Sequence, residues 1–116
     1  MQLARLVYAA TETFPRSEQF GLTLQLRRAA VSVASNIAEG AARASSKEFS
    51  QFLSIALGSL AELDTQIELA KTLEWLPSTE TLSQQRASVA KLTTKLRAAI
   101  ARRVNSRSPI TDHRSP

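Results

Sequence analysis

The chain of 116 residues has no cysteine, which excludes disulfide bonds, thiolate metal sites and cysteine nucleophiles. It has one histidine, His113, in a polar stretch near the carboxyl end that also contains proline. A histidine general base held in a rigid cleft, and with it a hydrolase triad, is therefore not expected. Since nothing in this composition calls for an oxidising compartment, we expect a cytoplasmic protein.

Glycine is also scarce. The three glycines, Gly21, Gly40 and Gly58, are isolated, so they form neither a phosphate-cradling loop nor a dinucleotide fingerprint. No Glu-x-x-His pair is available for a di-metal site between helices. We therefore expect no catalytic residue, no cofactor and no metal, and a protein that is not an enzyme. The alternative of a small enzyme has only isolated carboxylates such as Glu39 and Glu62 to draw on.

Long hydrophobic runs are absent as well. No segment offers eighteen consecutive apolar residues, and the first residues lack a basic segment followed by an apolar run. We expect neither membrane insertion nor export.

What the chain does have is helical periodicity, because apolar residues recur every three or four positions between Pro15 and Pro77. The sequence predicts one all-α domain, an up-down-up-down four-helix bundle over residues 1–104, followed by a disordered polar tail over 105–116. The predicted helices cover about 1–13, 17–42, 45–76 and 78–104. Ser45 and Glu48 form a capping box at the start of the third helix, and Ser78 is the expected N-cap of the fourth.

Each predicted helix carries one apolar stripe that we expect to face the core. The stripes comprise Leu3, Leu6, Val7 and Ala10 in the first helix, Leu22, Leu26, Ala29, Ala30, Val33 and Ile37 in the second, Leu53, Ala56, Leu60, Leu63, Ile67 and Ala70 in the third, and Leu82, Val89, Leu92, Leu96, Ala99 and Ile100 in the fourth.

The second helix also carries an ordered polar line. At about 100° per residue, one arc of about 80° holds six residues: Gln25, Arg28, Ser32, Asn36, Glu39 and Arg43. Because more than half of the helix circumference is apolar or small, we expect this helix to be covered twice, by its own bundle and by a second copy of the chain. Gly58 in the third helix suggests a close approach of two backbones. The alternative is a monomer with a solvated polar line and an exposed glycine.

Charge is unevenly distributed. The chain has 15 Lys and Arg against 10 Asp and Glu, a formal charge of +5. The predicted fourth helix holds six of the cations, Arg86, Lys91, Lys95, Arg97, Arg102 and Arg103. These cations are either a solvated face or contacts to nucleic acid. No aromatic residue lies among them to stack a base, which disfavours single-strand recognition.

The stretch from Phe14 to Leu73 resembles one family closely. The matching residues are Phe14-Pro15, Glu18, Gly21-Leu22, Gln25, Arg27-Arg28-Ala29, Ser32, Asn36-Ile37, Glu39-Gly40, Arg43, Glu48-Phe49, Phe52-Leu53, Ala56, Gly58-Ser59 and Glu62-Leu63. They resemble the four-helix-bundle family of 23S rRNA intervening-sequence proteins. The family is similar to the accessory variability determinant of diversity-generating retroelements. The resemblance therefore implies a ring-like homopentamer associated with nucleic acid or with a reverse transcriptase. It also implies that the chain begins inside the family's first helix.

We thus expect a non-catalytic, homo-oligomeric helical scaffold associated with RNA, DNA or a reverse transcriptase. The alternative is a purely structural interaction module whose arginines pair with glutamates such as Glu39, Glu48 and Glu62. Arg27 lies off the polar line, and we assign it more readily to a partner. The candidate nucleic-acid or partner contacts are Arg27, Arg28, Arg43, Arg86, Lys91, Lys95, Arg97, Arg102 and Arg103. The candidate oligomer or packing residues are Gln25, Ser32, Asn36, Glu39, Gly40, Gly58 and Glu62.

Overall fold

The computed structural model of the protein describes the backbone of residues 2–114 and the side chains of residues 2–104. Over that range the elements are α1 (Gln2–Thr11), a 3₁₀ turn (Arg16–Glu18), α2 (Leu22–Ala41), α3 (Ser46–Thr72) and α4 (Glu80–Arg114). No strand occurs in the described chain, so the predicted all-α class with four helices is confirmed. None of these helices is both long enough and apolar enough to cross a bilayer.

The core lies where α1, α2, α3 and the start of α4 meet. All six stripe residues predicted for α3 are buried, and Leu53 and Leu63 have no exposed surface. Five of the six predicted for α2 are buried too, and Ile37 packs against the same cluster. In α1, Leu3 and Val7 are buried while Leu6 and Ala10 pack at the edge. The period of three and four therefore predicts the core of the first three helices correctly.

The stripe predicted for α4 is wrong at Leu92, Leu96 and Ala99, whereas Leu82 and Ile100 are buried as predicted. Leu92 is 67% exposed and Leu96 38%, and Ala99 is exposed, whereas Thr93 is only 3% exposed. Thr93 can occupy the core because its hydroxyl donates to the carbonyl of Val89 at 2.7 Å, leaving no unpaired polar group. Position 93 lies one turn from Val89 and two turns from Ile100, so α4 packs along that line and leaves the leucines outside.

Helix α2 starts later than predicted. The chain from Arg16 to Glu18 forms a 3₁₀ turn, and Gly21 has non-helical angles of φ −106° and ψ −118°. The Glu18 carboxylate accepts a hydrogen bond from the Leu22 amide at 3.1 Å, which satisfies one of the free amides at the start of the helix. Ser17 and Glu18 therefore act before the helix and do not form its first turn.

The two caps predicted for α3 and α4 differ in outcome. The Glu48 amide donates to the Ser45 hydroxyl at 3.0 Å, which confirms Ser45 as the N-cap of α3. At the start of α4 the Glu80 amide donates to the Ser78 hydroxyl at 3.5 Å, but Glu80 is the first helical residue, so Ser78 lies one residue before the N-cap position. Helix α4 continues to Arg114, past the predicted end near Val104. The backbone is thus helical over 105–114, within the predicted disordered tail of residues 105–116, and the side chains from residue 105 onward lie outside the described part.

Helix α3 ends before Pro77, at a turn that has an unusual backbone. Glu74 has φ 62°, in the left-handed region, and the Trp75 amide donates to the Ala70 carbonyl at 3.0 Å. The Glu74 amide donates to the Lys71 carbonyl at 3.0 Å, which completes a Schellman motif. This turn places Trp75 against Phe14, with ring centroids 5.6 Å apart.

Replacing Glu74 with glycine should raise the free energy of unfolding by up to about 1 kcal/mol, because glycine adopts positive φ without steric cost. Chemical denaturation of the two chains measures the difference. The control, Glu74→Ala, removes the same carboxylate but keeps the Cβ atom, and it should give no such gain. An equal gain in both variants would contradict backbone strain at this residue.

Candidate nucleic-acid interface

Part of the polar line of α2 is built into the contact between α2 and α3. The hydroxyl oxygens of Ser32 and Ser59 lie 2.9 Å apart. The Asn36 side-chain amide donates to the Ser32 carbonyl at 2.8 Å and to the Ser32 hydroxyl at 3.0 Å. We call Ser32, Asn36 and Ser59 the polar seam. Ser32 and Asn36 therefore pack within one chain, and their role between copies stays a prediction.

Removing both hydroxyls of the Ser32–Ser59 pair should destabilise the fold by less than the sum of the two single removals. Ser59 is 6% exposed, so Ser32→Ala leaves its hydroxyl buried without its partner, at a cost of about 1–2 kcal/mol. The double variant Ser32→Ala/Ser59→Ala should cost less than the sum of the two single changes. Urea denaturation of the four chains gives this coupling energy. Additive costs would contradict a direct bond between the two hydroxyls.

Gly40 and Arg43 also lie at this contact. A Cβ atom at Gly40 would stand 2.7 Å from the Phe52 Cβ and 2.9 Å from the Phe49 Cδ1, so only glycine fits without a shift. The Arg43 guanidinium bonds the Glu39 carboxylate at 2.7 Å and lies 4.9 Å from the centre of the Phe52 ring. Gly40 is therefore a packing residue within the chain.

Gly58 shows the opposite environment. A Cβ atom there would meet nothing within 4 Å, and the residue is exposed. The close approach predicted at Gly58 does not occur within the chain, because the residue lies on the outer side of α3. An approach by a second copy stays a prediction.

Beside the polar seam a cleft of about 250 Å³ opens between α2 and α3. It is lined by Gln25, Arg28, Ala29, Ser32, Ser59, Glu62 and Gln66. Arg28 and Glu62 share this cleft, but neither takes part in an ion pair within the described chain. Gln66 is 9% exposed and its Oε1 has no hydrogen-bond partner among the described residues. Sequence reasoning missed Ser59 and Gln66 as site residues. Their spacing of seven residues on α3 is the signal that could have revealed them.

Arg27 points to the first helix. Its Nε donates to the Thr11 hydroxyl at 2.8 Å, and its guanidinium carbon lies 4.5 Å from the centre of the Tyr8 ring. The same guanidinium donates to the Tyr8 carbonyl at 3.4 Å. These contacts join α2 to α1, so the Arg27 side chain is bound within its own chain. A contact with a partner is still a prediction.

Helix α1 also covers part of the small-residue side of α2. A pocket between α1, α2 and α4 is lined by Leu3 and Ala4 together with Ala30 and Ala34. Ala30 is buried and Ala34 half-buried, whereas Ala38, one turn further, is exposed. The second cover of Ala30 and Ala34 is therefore α1 of the same chain.

The six cations predicted for the fourth helix fall into two groups. The Arg86 Nε lies 3.4 Å from the Asp64 carboxylate, and Arg97 donates to the Ser54 hydroxyl at 3.4 Å. Lys91, Lys95, Arg102 and Arg103 are exposed, and neither ion pair found in the described chain involves them. Lys91, Lys95 and Arg102 lie within about 40° of one another on α4, opposite the buried side. We call these three residues the basic face.

These surfaces can bind an anion, but they bring few reactive groups together. Within the described residues no cluster of three or more His, Cys, Asp or Glu could hold a metal ion. The cleft has one cation and one carboxylate, and the basic face has three cations without an acid. The chemistry that the basic face offers is electrostatic attraction of phosphate.

Four packed helices with a basic outer face define a small all-α protein with a surface suited to polyanions. The chain belongs to the family described as 23S rRNA-intervening sequence protein, whose profile matches residues 1–98. No curated protein gives a significant match. The predicted family is thus confirmed over most of the chain.

Proposed function

We propose that this protein is a non-catalytic, homo-oligomeric scaffold that binds RNA or DNA through the basic face. The observation that carries the proposal is that Lys91, Lys95 and Arg102 are exposed on one side of α4 without an acidic partner in the described chain. The description of the family names the intervening sequence of 23S rRNA, which supports a link to nucleic acid. We place the scaffold in the cytoplasm.

The spacing of the basic face suits a nucleic-acid backbone. From Lys91 to Arg102 the helix rises about 16 Å at about 1.5 Å per residue, a length over which a duplex presents several phosphates. Neutralising them releases counterions, which makes affinity depend steeply on salt. Arg28 on α2 and Arg103 on α4 are also exposed and free of ion pairs within the described chain, and they are further candidate contacts to phosphate.

The assembly in this proposal is an up-down-up-down bundle that forms a ring-like homopentamer. Two contacts support the helix directions: Ser32 meets Ser59, while Gly40, later in α2, meets Phe49 and Phe52, earlier in α3. Exposed leucine and isoleucine side chains on α3 and α4 support association with a second copy. A reverse transcriptase is the protein partner that the similarity to retroelement accessory proteins suggests.

The second candidate function is a structural interaction module without a nucleic-acid role. Three arginines predicted to contact a partner instead contact residues of the same chain, which favours this function. Arg27 bonds Thr11, Arg43 pairs with Glu39 and Arg86 pairs with Asp64. These cations contribute to the fold and have less freedom to meet phosphate.

Titration of fluorescent RNA and DNA, both duplex and single-stranded, with the full chain at low salt separates the two functions. We expect binding that weakens steeply as salt rises, with duplexes bound at least as well as single strands because no aromatic residue lies on the basic face. Absence of binding at low salt would contradict the nucleic-acid role and leave self-association standing. A turnover that survives removal of residues 105–116 would contradict the non-catalytic assignment.

A further inference from the structure

The two walls of the cleft between α2 and α3 carry opposite charges that do not pair with each other. Arg28 lies about one turn before Ser32 in α2, and Glu62 lies about one turn after Ser59 in α3. Both charged side chains are exposed, and neither ion pair found in the described chain involves them. A guanidinium and a carboxylate are therefore available to a molecule that enters the cleft.

The buried part of the cleft holds polar groups whose hydrogen bonds are incomplete. Gln66 is 9% exposed, and its Oε1 accepts no hydrogen bond from the described residues. Rotation of this amide about its last bond presents either its oxygen or its nitrogen to the cleft. The bond between the Ser32 and Ser59 hydroxyls uses one of their two hydrogens, which leaves the other for a further acceptor. Since buried polar groups are normally paired, these groups point to a polar occupant.

The cleft has room for a small molecule. Its volume of about 250 Å³ corresponds to about eight water molecules at about 30 Å³ each, the size of a molecule with about eight to ten non-hydrogen atoms. From Ser59 to Gln66 the α3 wall is about 10 Å long at about 1.5 Å per residue. Ala29 is the one apolar residue among those that line the cleft. The occupant is therefore small and polar over most of its surface.

We propose that this cleft binds a free α-amino acid that has a polar side chain. The carboxylate of the ligand accepts from the Arg28 guanidinium, and its ammonium group donates to the Glu62 carboxylate. The side chain of the ligand meets the Gln66 amide or the hydroxyls of Ser32 and Ser59. L-Glutamine has a suitable size, and its carboxamide can both donate and accept, so it serves as the probe.

Charge favours this class over other small molecules. A free nucleotide or a phosphate ion brings only negative charge, which Arg28 attracts and Glu62 repels. A polyamine brings only positive charge, for which the reverse holds. A zwitterion satisfies both walls of the cleft at once. The inference stands apart from the proposed function, in which the basic face of α4 and not this cleft carries the binding of nucleic acid.

Saturation-transfer NMR of L-glutamine with the unaltered full chain tests the proposal. We expect saturable binding in the millimolar range, because water weakens the attraction of the two exposed charged side chains. N-acetyl-L-glutamine lacks the ammonium group and L-glutaminamide lacks the carboxylate, so each should bind at least about tenfold more weakly. L-Leucine keeps both charges without a polar side chain, and it should also bind more weakly than L-glutamine.

Two variants test the charged walls. Arg28→Gln and Glu62→Gln each remove one charge from the cleft, and each should weaken the binding of L-glutamine at least about tenfold. The controls, Lys71→Gln and Glu68→Gln, each remove an exposed charge of matching sign on α3 outside the cleft, and they should leave binding unchanged. Circular dichroism shows whether each variant is folded, and the comparison of ligands on the unaltered chain needs no variant.

Gln66→Met should have opposite effects on affinity and on stability. Methionine has nearly the same length but no amide, so the variant should bind L-glutamine more weakly. Without ligand it should unfold at a higher urea concentration than the unaltered chain, because a buried acceptor that lacks a partner is removed. Unchanged binding together with a lower urea midpoint would give Gln66 a structural role alone and overturn its part in the site.

Three results would overturn the proposal as a whole. They are no saturable signal from L-glutamine at tens of millimolar, equal binding of N-acetyl-L-glutamine and L-glutamine, and losses in the control variants as large as those in the cleft variants. None of them bears on RNA binding or on self-association. RNA titration tests the nucleic-acid role independently.

Discussion

Gly40→Ala should lower the free energy of unfolding by about 2 kcal/mol, whereas Gly58→Ala should raise it by about 1 kcal/mol at protein concentrations low enough for the chain to be monomeric. At Gly40 the new methyl group would stand 2.7 Å from the Phe52 Cβ, close to the backbone of α3, so the helices must move apart. At Gly58 nothing stands within 4 Å, so the variant gains only helix propensity. The same chemical change therefore has opposite signs at two glycines.

Urea denaturation followed by circular dichroism measures both changes. Two protein concentrations are needed because self-association adds a concentration-dependent stabilisation. A loss at Gly40 that is no larger than any change at Gly58 would show that α2 and α3 do not pack as closely as the structure has them. A loss at Gly58 at high concentration alone would indicate a contact with a second copy.

The triple variant Lys91→Ala/Lys95→Ala/Arg102→Ala should bind duplex nucleic acid about 100-fold more weakly than the unaltered chain at low salt. Each cation that contacts a phosphate contributes about 0.9 to the slope of log affinity against log salt for a DNA duplex, so the slope should fall by about 2–3. Since all three residues are exposed, the fold should be unaffected. Fluorescence anisotropy over a series of salt concentrations gives both quantities.

A matched control removes three exposed cations elsewhere. Arg5→Ala/Lys47→Ala/Lys71→Ala lowers the net charge by the same amount but leaves α4 unchanged. It should keep most of the affinity and of the slope. Equal losses in the two triple variants would mean that net charge, and not the basic face, determines binding.

The sequence predicted those helices in which local hydrogen bonding and the apolar pattern point to the same packing. Ser45 and Glu48 specify the start of α3 by local hydrogen bonding alone, and the leucines of α3 offer one unbroken apolar side. In α4 two sides of the helix could face the core. The side with Leu92 and Leu96 is more apolar than the side with Thr93, yet the Thr93 side is the buried one. The choice depends on tertiary contacts, because Arg86 and Arg97 reach Asp64 and Ser54 only when the Thr93 side faces inward.

Predicting the candidate site had a similar limit. The polar line of α2 follows from periodicity, and the structure places Ser32 and Asn36 within one continuous seam. Ser59 and Gln66, the α3 residues that meet this line, lie seven residues apart on the buried side of α3, and the packing of α2 on α3 is what brings them to the polar line. Arg27 looked available for a partner because its bond to Thr11 joins residues sixteen positions apart.

The central claim is that the exposed faces of α3 and α4 are covered by further copies of the same chain. Sedimentation velocity of the unaltered full chain at micromolar concentration tests this claim most directly. The account predicts a single species several times heavier than the 12.7 kDa chain, with five copies expected for the proposed ring. A species of 12.7 kDa at that concentration would contradict it.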